Sequence, residues 1–284
     1  MCRSNLICAA LSPLVEIPST KSSAEVNDMN DLDTFPRSLA DVFSTGTVLS
    51  ESGETLPLDS NVSLIEAVVL HRAVKEHHCH STAEVGLAKG ISATAIVSAI
   101  AGHPGAMHHV MDPYQTKYGN AGLRMLRDSG LSPHFRHYSQ YAEEVFPSLP
   151  QLDFVFIDAS HLFDYTMVEF ILADKKLKVG GMIAFHDLWM PSLRKLLRYI
   201  LRNRDYAIER TYSDQACGEV GVRRLTTWQR LHNLASAVGR TMPKSDAWLS
   251  DELRYPWHQF GLNNMVFIKK QSNDSRDWRH FRPF

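Results

Sequence analysis

The chain has 284 residues, 44% of them hydrophobic, and a formal net charge of −1. That is enough apolar material for one substantial core, and the near-zero charge gives no global polyanion-binding signature. No apolar run reaches the ~20 residues a membrane helix needs, and the four cysteines (Cys2, Cys8, Cys79, Cys217) fit neither a disulfide framework nor a zinc ribbon. A reducing, cytoplasmic setting is the expectation.

Near the start, "NLICAALSPLVEI" reads as a tail or a short packing helix. Its single positive flank (Arg3), with Pro13 and Glu16 inside, argues against a secretion signal. Residues 17–60 are rich in Ser, Thr, Asp, Asn and Glu, and residues 1–60 hold three basic residues against nine acidic ones. An acidic, loosely ordered arm is expected over 1–57, followed by one folded domain over 58–284. Order begins near "DSNVSLIEAVVLHRAVKE", where Ser63 caps a helix and Glu66 completes a capping box. Leu64, Ala67, Val68 and His71 follow at helical spacing.

From there strand and helix alternate. "TAEVG", "HHVMD", "HFRHYS", "LDFVFID", "GGMIAFHD", "YAIERTY" and "GLNNMVFIKK" read as seven strands. Helices over "SATAIVSAIA", "YGNAGLRMLRDSG", "YAEEVFPSL", "DYTMVEFILADKKLK" and "PSLRKLLRYILRNR" lie between them. The alternation predicts an α/β, doubly wound, mostly parallel sheet, whose continuous apolar strands are buried on both faces. Ligands of such sheets bind beyond the carboxyl ends of the strands. Residues 191–240 carry ten basic residues against four acidic ones, read as a solvated helical face. Residues 213–259, with Trp228, Trp248 and Trp257, are too long for an ordinary connection and are expected to form an insertion that serves as a lid or a small satellite core.

"EVGLAKGIS" supplies a glycine turn that opens a helix, a place where free N–H groups favour an anion. Twenty-two residues beyond Gly90 stands Asp112, at the end of the next strand, where a carboxylate can accept both hydroxyls of a ribose. A dinucleotide fingerprint requires G-x-G-x-x-G; position 88 is alanine, which argues against an NAD-dependent oxidoreductase. The pattern E-x-G-x-x-x-G-x-S resembles the first motif of class I S-adenosylmethionine-dependent methyltransferases. The resemblance implies their Rossmann-like seven-stranded sheet with an antiparallel last strand. It also implies a methionine-binding turn made by Glu84, Gly86, Gly90 and Ser92, with Asp112 on the ribose and Asp158 near the donor.

"DFVFIDASHLFDYTMVEFILADKKLKVGGMIAFHD" resembles a group of small-molecule and sugar O-methyltransferases. Their pattern is Asp-Gly-Asp-His, an acidic residue, then Gly-Gly and His-Asp, and some of them use Mg²⁺. The resemblance implies Asp158 and Asp187 as metal-side carboxylates with His186 beside them, and sets Glu169 where relatives often carry Asp. Here the first motif is Asp158-Ala159-Ser160-His161, so the second carboxylate, a proton acceptor in some relatives, is missing. The Asp-Asp pair of some relatives is His186-Asp187. His161 is the expected general base, because imidazole titrates near neutrality. Strand alternation turns His186 away from the cleft if Asp187 points into it. Glu169 is expected to face solvent, Asp164 to cap its helix, and Asp174 to sit in a solvated last turn. The expected reaction is methyl transfer from S-adenosylmethionine to a hydroxyl of a small-molecule acceptor, with a divalent metal assisting. A nucleotide-binding relative without this catalysis is the rival. Without an Asn-Pro-Pro motif, no nucleic-acid partner is expected; a homo-oligomer stays open.

Overall fold

All seven apolar runs are strands of one sheet in the computed structural model, which describes residues 37–216 and 264–284. The elements run α1 (Arg37–Thr45), β1 (Thr47–Leu49), β2 (Thr55–Pro57), α2 (Leu64–Glu76), β3 (Ser81–Val85), α3 (Ile91–Ile100), β4 (Met107–Met111) and α4 (Ala121–Asp128). They continue with β5 (Phe135–Tyr138), α5 (Ala142–Val145), β6 (Leu152–Ile157), α6 (Phe163–Lys176), β7 (Leu177–Phe185), α7 (Pro191–Asn203), β8 (Tyr206–Ile208), α8 (Arg210–Gln215) and β9 (Val266–Lys270). The sheet order is β5-β4-β3-β6-β7-β9-β8. The first five of these are mutually parallel, and β9 runs antiparallel to both β7 and β8.

Side-chain alternation along β6 builds both layers. Phe154 and Phe156 face α2 and α3, whereas Val155 and Ile157 face α6 and α7, joined there by Leu152 through a register irregularity between Leu152 and Phe154. The chain leaves β3 toward β4 and β5 on one side, then returns to β6 on the other. The loops after β3 and β6 therefore diverge at a topological switch point, where doubly wound folds open a ligand crevice.

The arm departs from expectation over its second half: residues 37–57 are ordered and packed on the domain. Leu39, Val42 and Val48 are buried in one cluster with Ala121 and Met125 of α4. Arg124 Nη1 donates to the Ser50 carbonyl at 2.7 Å, and Arg127 pairs with Glu51. Three buried apolar residues anchor this segment, although its composition is polar. The remainder of the arm, and the insertion from residue 217 to 259, fall outside the described residues. "YAIERTY" divides into β8 and the start of α8, with Glu209 as the N-cap. Leu162, not Asp164, occupies the N-cap of α6. Among the described residues no helix is long and apolar enough to cross a membrane.

Candidate active site

The switch point is closed by one backbone contact. Gly86 follows β3 with φ +92°, and a Cβ there would lie 2.2 Å from the Asp158 carbonyl oxygen. Only glycine meets both the torsion and the space. Gly90 (φ +82°) is the N-cap of α3 and touches Gly122 of α4.

Beneath this turn Glu84 is fully buried. It accepts from Ser92 Oγ, while His108 Nε2 lies 3.1 Å from its second oxygen. Thr82 Oγ1 holds the other ring nitrogen of His108 at 2.8 Å. The β3–β4 register pairs Thr82 with His108, so alternation brings all three side chains to one face. Burial pushes Glu84 well above the usual carboxylate range and takes His108 down to about 3. His108 is thus neutral, with one ring nitrogen on Glu84 and the other on the Thr82 hydroxyl. Glu84 and Ser92 brace the turn from below.

Asp112 clamps the same turn from its rim. Its Oδ2 accepts from Leu87 N (3.0 Å), Ala88 N (3.1 Å) and Gln115 Nε2 (2.7 Å), and Oδ1 from Tyr114 N (2.7 Å). Capacity for a further donor, such as a ribose hydroxyl, remains on Oδ1.

Across the switch point the ends of β6 and β7 deliver a polar cluster. His161 Nε2 lies 3.1 Å from Asp158 Oδ1 and 3.0 Å from Asp187 Oδ2. Both His161 (φ +57°) and Asp187 (φ +56°) hold left-handed backbone, which turns their side chains inward to this meeting point. Trp189 Nε1 donates to Asp187 Oδ1 at 2.8 Å, and Ser192 Oγ donates to the His161 carbonyl at 2.7 Å. His186 is buried behind the cluster yet faces it, with Nδ1 3.6 Å from Asp187 Oδ1, because both residues lie past the end of β7 and strand alternation does not govern them. Its Nδ1 lies 3.4 Å from Asp158 Oδ1, its Nε2 lies 3.4 Å from Glu66 Oε1, and the Asn264 amide is 2.8 Å from the same nitrogen.

These pairings set the charges. Hydrogen bonds to Asp158 and then Asp187 outweigh burial and push His161 up to about 9. Burial opposes charge on His186, yet its bonds to Asp158 and Glu66 prevail and raise it to about 10. Burial likewise opposes charge on Asp158, but the two histidines bring it to about 2. Against the same opposition, His186 draws Glu66 below its ordinary range, and His161 followed by His186 does so for Asp187. Three carboxylates thus face two imidazolium rings, leaving a net negative charge at the crevice. That sign suits a sulfonium.

The donor atoms that converge with Asp158 and Asp187 within 4.8 Å of one another come from His161; His186 is not in that set. The family resemblance implies His186 beside the carboxylates; the converging imidazole is instead that of His161. The 3.0 and 3.1 Å separations match the edge of a coordination octahedron with bonds of about 2.1 Å. Two carboxylates and an imidazole fit a divalent cation, although an imidazole suits Mn, Fe or Zn better than Mg.

Two helix residues depart from expectation. Asp174 is buried, paired with Arg204 and Lys270 and accepting from Tyr206 Oη at 2.6 Å. Glu169 is only 7% exposed, with Oε2 unpartnered among the described residues. Burial first, then the charges of Glu143 and Asp158, raise it to about 8 against the opposing pull of His161. Between pH 4.5 and 8 the folded protein keeps a proton that the unfolded chain releases, so stability falls as pH rises. Glu169→Gln removes that fall. Its urea-unfolding free energy relative to wild type is expected to gain roughly 2–4 kcal/mol from pH 4.5 to 8.5. Parallel pH curves for the two proteins would contradict this.

Sequence reasoning missed Glu66 and Asn264, which reach His186, and Trp189, which reaches Asp187. Glu66 was legible only as a helix cap. It does cap, accepting from Ser63 N at 2.7 Å, but through Oε2, which leaves Oε1 for His186.

Residues 83–188 match the family model described as a methyltransferase domain. No curated protein matches the chain. Among solved structures, the chain is similar to an O-methyltransferase from Bacillus cereus solved with S-adenosylhomocysteine (TM-score 0.52, 15% identity, 64% of this chain and 88% of that one). It is also similar to an S-adenosylhomocysteine-bound methyltransferase of Podospora anserina (TM-score 0.50, 15% identity, 69% and 93% covered). At these identities the likeness speaks for the fold, and the glycine turn and strand-end carboxylates fall within the matched segment. Over residues 83–188, then, the chain is similar to the methyltransferase-domain family, and its fold is that of the solved methyltransferases.

Proposed function

We propose that the protein transfers the methyl group of S-adenosylmethionine to a hydroxyl oxygen of a small-molecule acceptor. The observation that carries this reading is the contact of the glycine turn with Asp158, which sets a donor-type turn beside the Asp158–His161–Asp187 cluster. The turn and the start of α3 receive the donor's methionine end, with Asp112 toward the ribose. Net negative charge draws the sulfonium to the crevice. The acceptor approaches past Trp189, 63% exposed yet tied to Asp187 through its N–H. A lone pair of its oxygen attacks the methyl carbon in line. The carbon–sulfur pair stays on sulfur, and the hydroxyl proton passes to His161, which Asp158 and Asp187 orient. A divalent cation, Mg²⁺ by the resemblance, would be held by Asp158 and Asp187 and supplies Lewis-acid polarisation of the acceptor oxygen when bound.

S-adenosylhomocysteine at about 100 times its Kd is expected to raise Tm by roughly 5 °C, with no shift from NAD. A shift from NAD alone would overturn the reading. Transfer of labelled methyl to a panel of hydroxyl acceptors, with and without chelator, then separates catalysis from binding. The replacement of the second motif carboxylate by Ser160 motivates the rival, a binding-only protein. Tight binding with no transfer across the panel would establish it.

A further inference from the structure

The glycine turn has an outer wall that its motif does not describe. Residues 57–62 leave the β1–β2 hairpin and cross the turn before α2 begins. Ser60, Asn61 and Val62 face Gly86, Lys89, Ser92 and Asp158 across a cleft of about 20 Å³. Leu58 and Val62 pack on the core near the two ends of this stretch, and Lys89 ties it to the turn, Nζ donating to the Pro57 carbonyl and pairing with the Asp59 carboxylate. Lys89 is only 5% exposed, whereas the Asp59 side chain is 62% exposed. The attachment is thus half buried and half open to solvent. Ser60, between the attachment and the cleft, sits in left-handed backbone (φ +51°), which is strained for a residue with a side chain.

The cleft has room for about one water molecule, less than any amino-acid end of a nucleoside donor. Its inner wall cannot give way, because there the backbones of Gly86 and Asp158 are already in contact. The outer wall can at residues 59–61, which lie between the core anchors Leu58 and Val62, are strained at Ser60, and have Lys89 as their side-chain tie to the turn among the described residues.

We infer that residues 59–61 are a strap over the donor's methionine pocket, hinged at the core-packed Leu58 and Val62, and that Lys89 and Asp59 are positioning residues that latch it after the donor enters. This rests on the proposed donor site. The strap swings out to admit the methionine end. It then closes so that Ser60 and Asn61 complete the pocket opposite Ser92, and the latch slows the donor's escape.

The experiment measures the equilibrium constant and dissociation rate of S-adenosylhomocysteine by calorimetry and surface plasmon resonance. Wild type is compared with Asp59→Asn, Lys89→Met and Lys89→Arg. Asp59→Asn changes a solvent-facing carboxylate and leaves the fold intact, so it carries the test even if Lys89→Met folds poorly. Asp59→Asn and Lys89→Met are expected to speed dissociation about tenfold, the loss of a charge-assisted bond discounted for exposure. The association rate should hold or rise, and Lys89→Arg should restore slow release. A residue that only stabilised the fold would lower Tm without this split between the two rates. Unchanged dissociation in Asp59→Asn, with wild type binding normally, overturns the strap and leaves the donor site standing. No binding by wild type overturns the donor site itself.

Discussion

Gly86→Ala is expected to destabilise the protein by about 3–5 kcal/mol and to abolish S-adenosylhomocysteine binding. Two separate costs add at this position. Alanine at φ +92° is strained by its own backbone, which alone costs of order 1–3 kcal/mol. Its Cβ would also lie 2.2 Å from the Asp158 carbonyl oxygen and 3.0 Å from the carbonyl carbon, both backbone atoms that no rotamer change can move. Relief requires β3 and β6 to part at their carboxyl ends, where Asp158 N donates to the Val85 carbonyl at 3.0 Å. That opens the crevice at the atoms the donor must reach. Gly105→Ala is the control: it has a similar torsion (φ +79°) with nothing within 4 Å of the new Cβ, so only the backbone cost applies. Urea unfolding of the two variants should separate them by about 2 kcal/mol or more. Equal losses would mean that the contact at Gly86 does not constrain the fold.

Much of this architecture could be read from the sequence because strands and turns are local. Apolar runs such as "FVFI" need only their own alternation to declare a buried strand, and the antiparallel final strand came with the family likeness. What escaped was set by distant partners. Asp174 reads as a solvated helix end, yet Arg204 and Lys270 lie 30 and 96 residues along the chain, and only the fold brings them to it. Glu169 has no sequence signal for burial, since its helix has charged residues at both ends. The arm failed for the opposite reason. Leu39, Val42 and Val48 are few enough for composition to call the segment polar, but α4 offers them one apolar groove. At the site, the ionisable residue types were legible and their grouping was not. His161 and His186 differ by which backbone turns left-handed, and that is invisible in the letters.

Asp158→Asn is expected to lower the plateau rate of methyl transfer by about 10³-fold and to shift its pH dependence toward acid. In wild type His161 is held as an imidazolium by its bond to Asp158, with Asp187 second, so that it titrates near 9. An imidazolium accepts no proton. With chelator present, the rate should therefore climb about tenfold per pH unit and level off near pH 9, where neutral His161 becomes the dominant form. Asparagine keeps the shape of the side chain and the backbone contact with Gly86, but removes the charge that raises His161. The ring should then titrate at least about one unit lower, and the plateau should begin correspondingly earlier. Its height falls because the remaining carboxylate, Asp187, must orient the base alone and the negative charge facing the sulfonium is lost. Asp187→Asn should move the profile in the same direction by a smaller amount, since Asp187 is the second contributor to the His161 shift. S-adenosylhomocysteine affinity, measured alongside, should weaken far less than the rate. A profile that keeps its inflection near pH 9 in Asp158→Asn would remove His161 as the base, whatever the loss in rate.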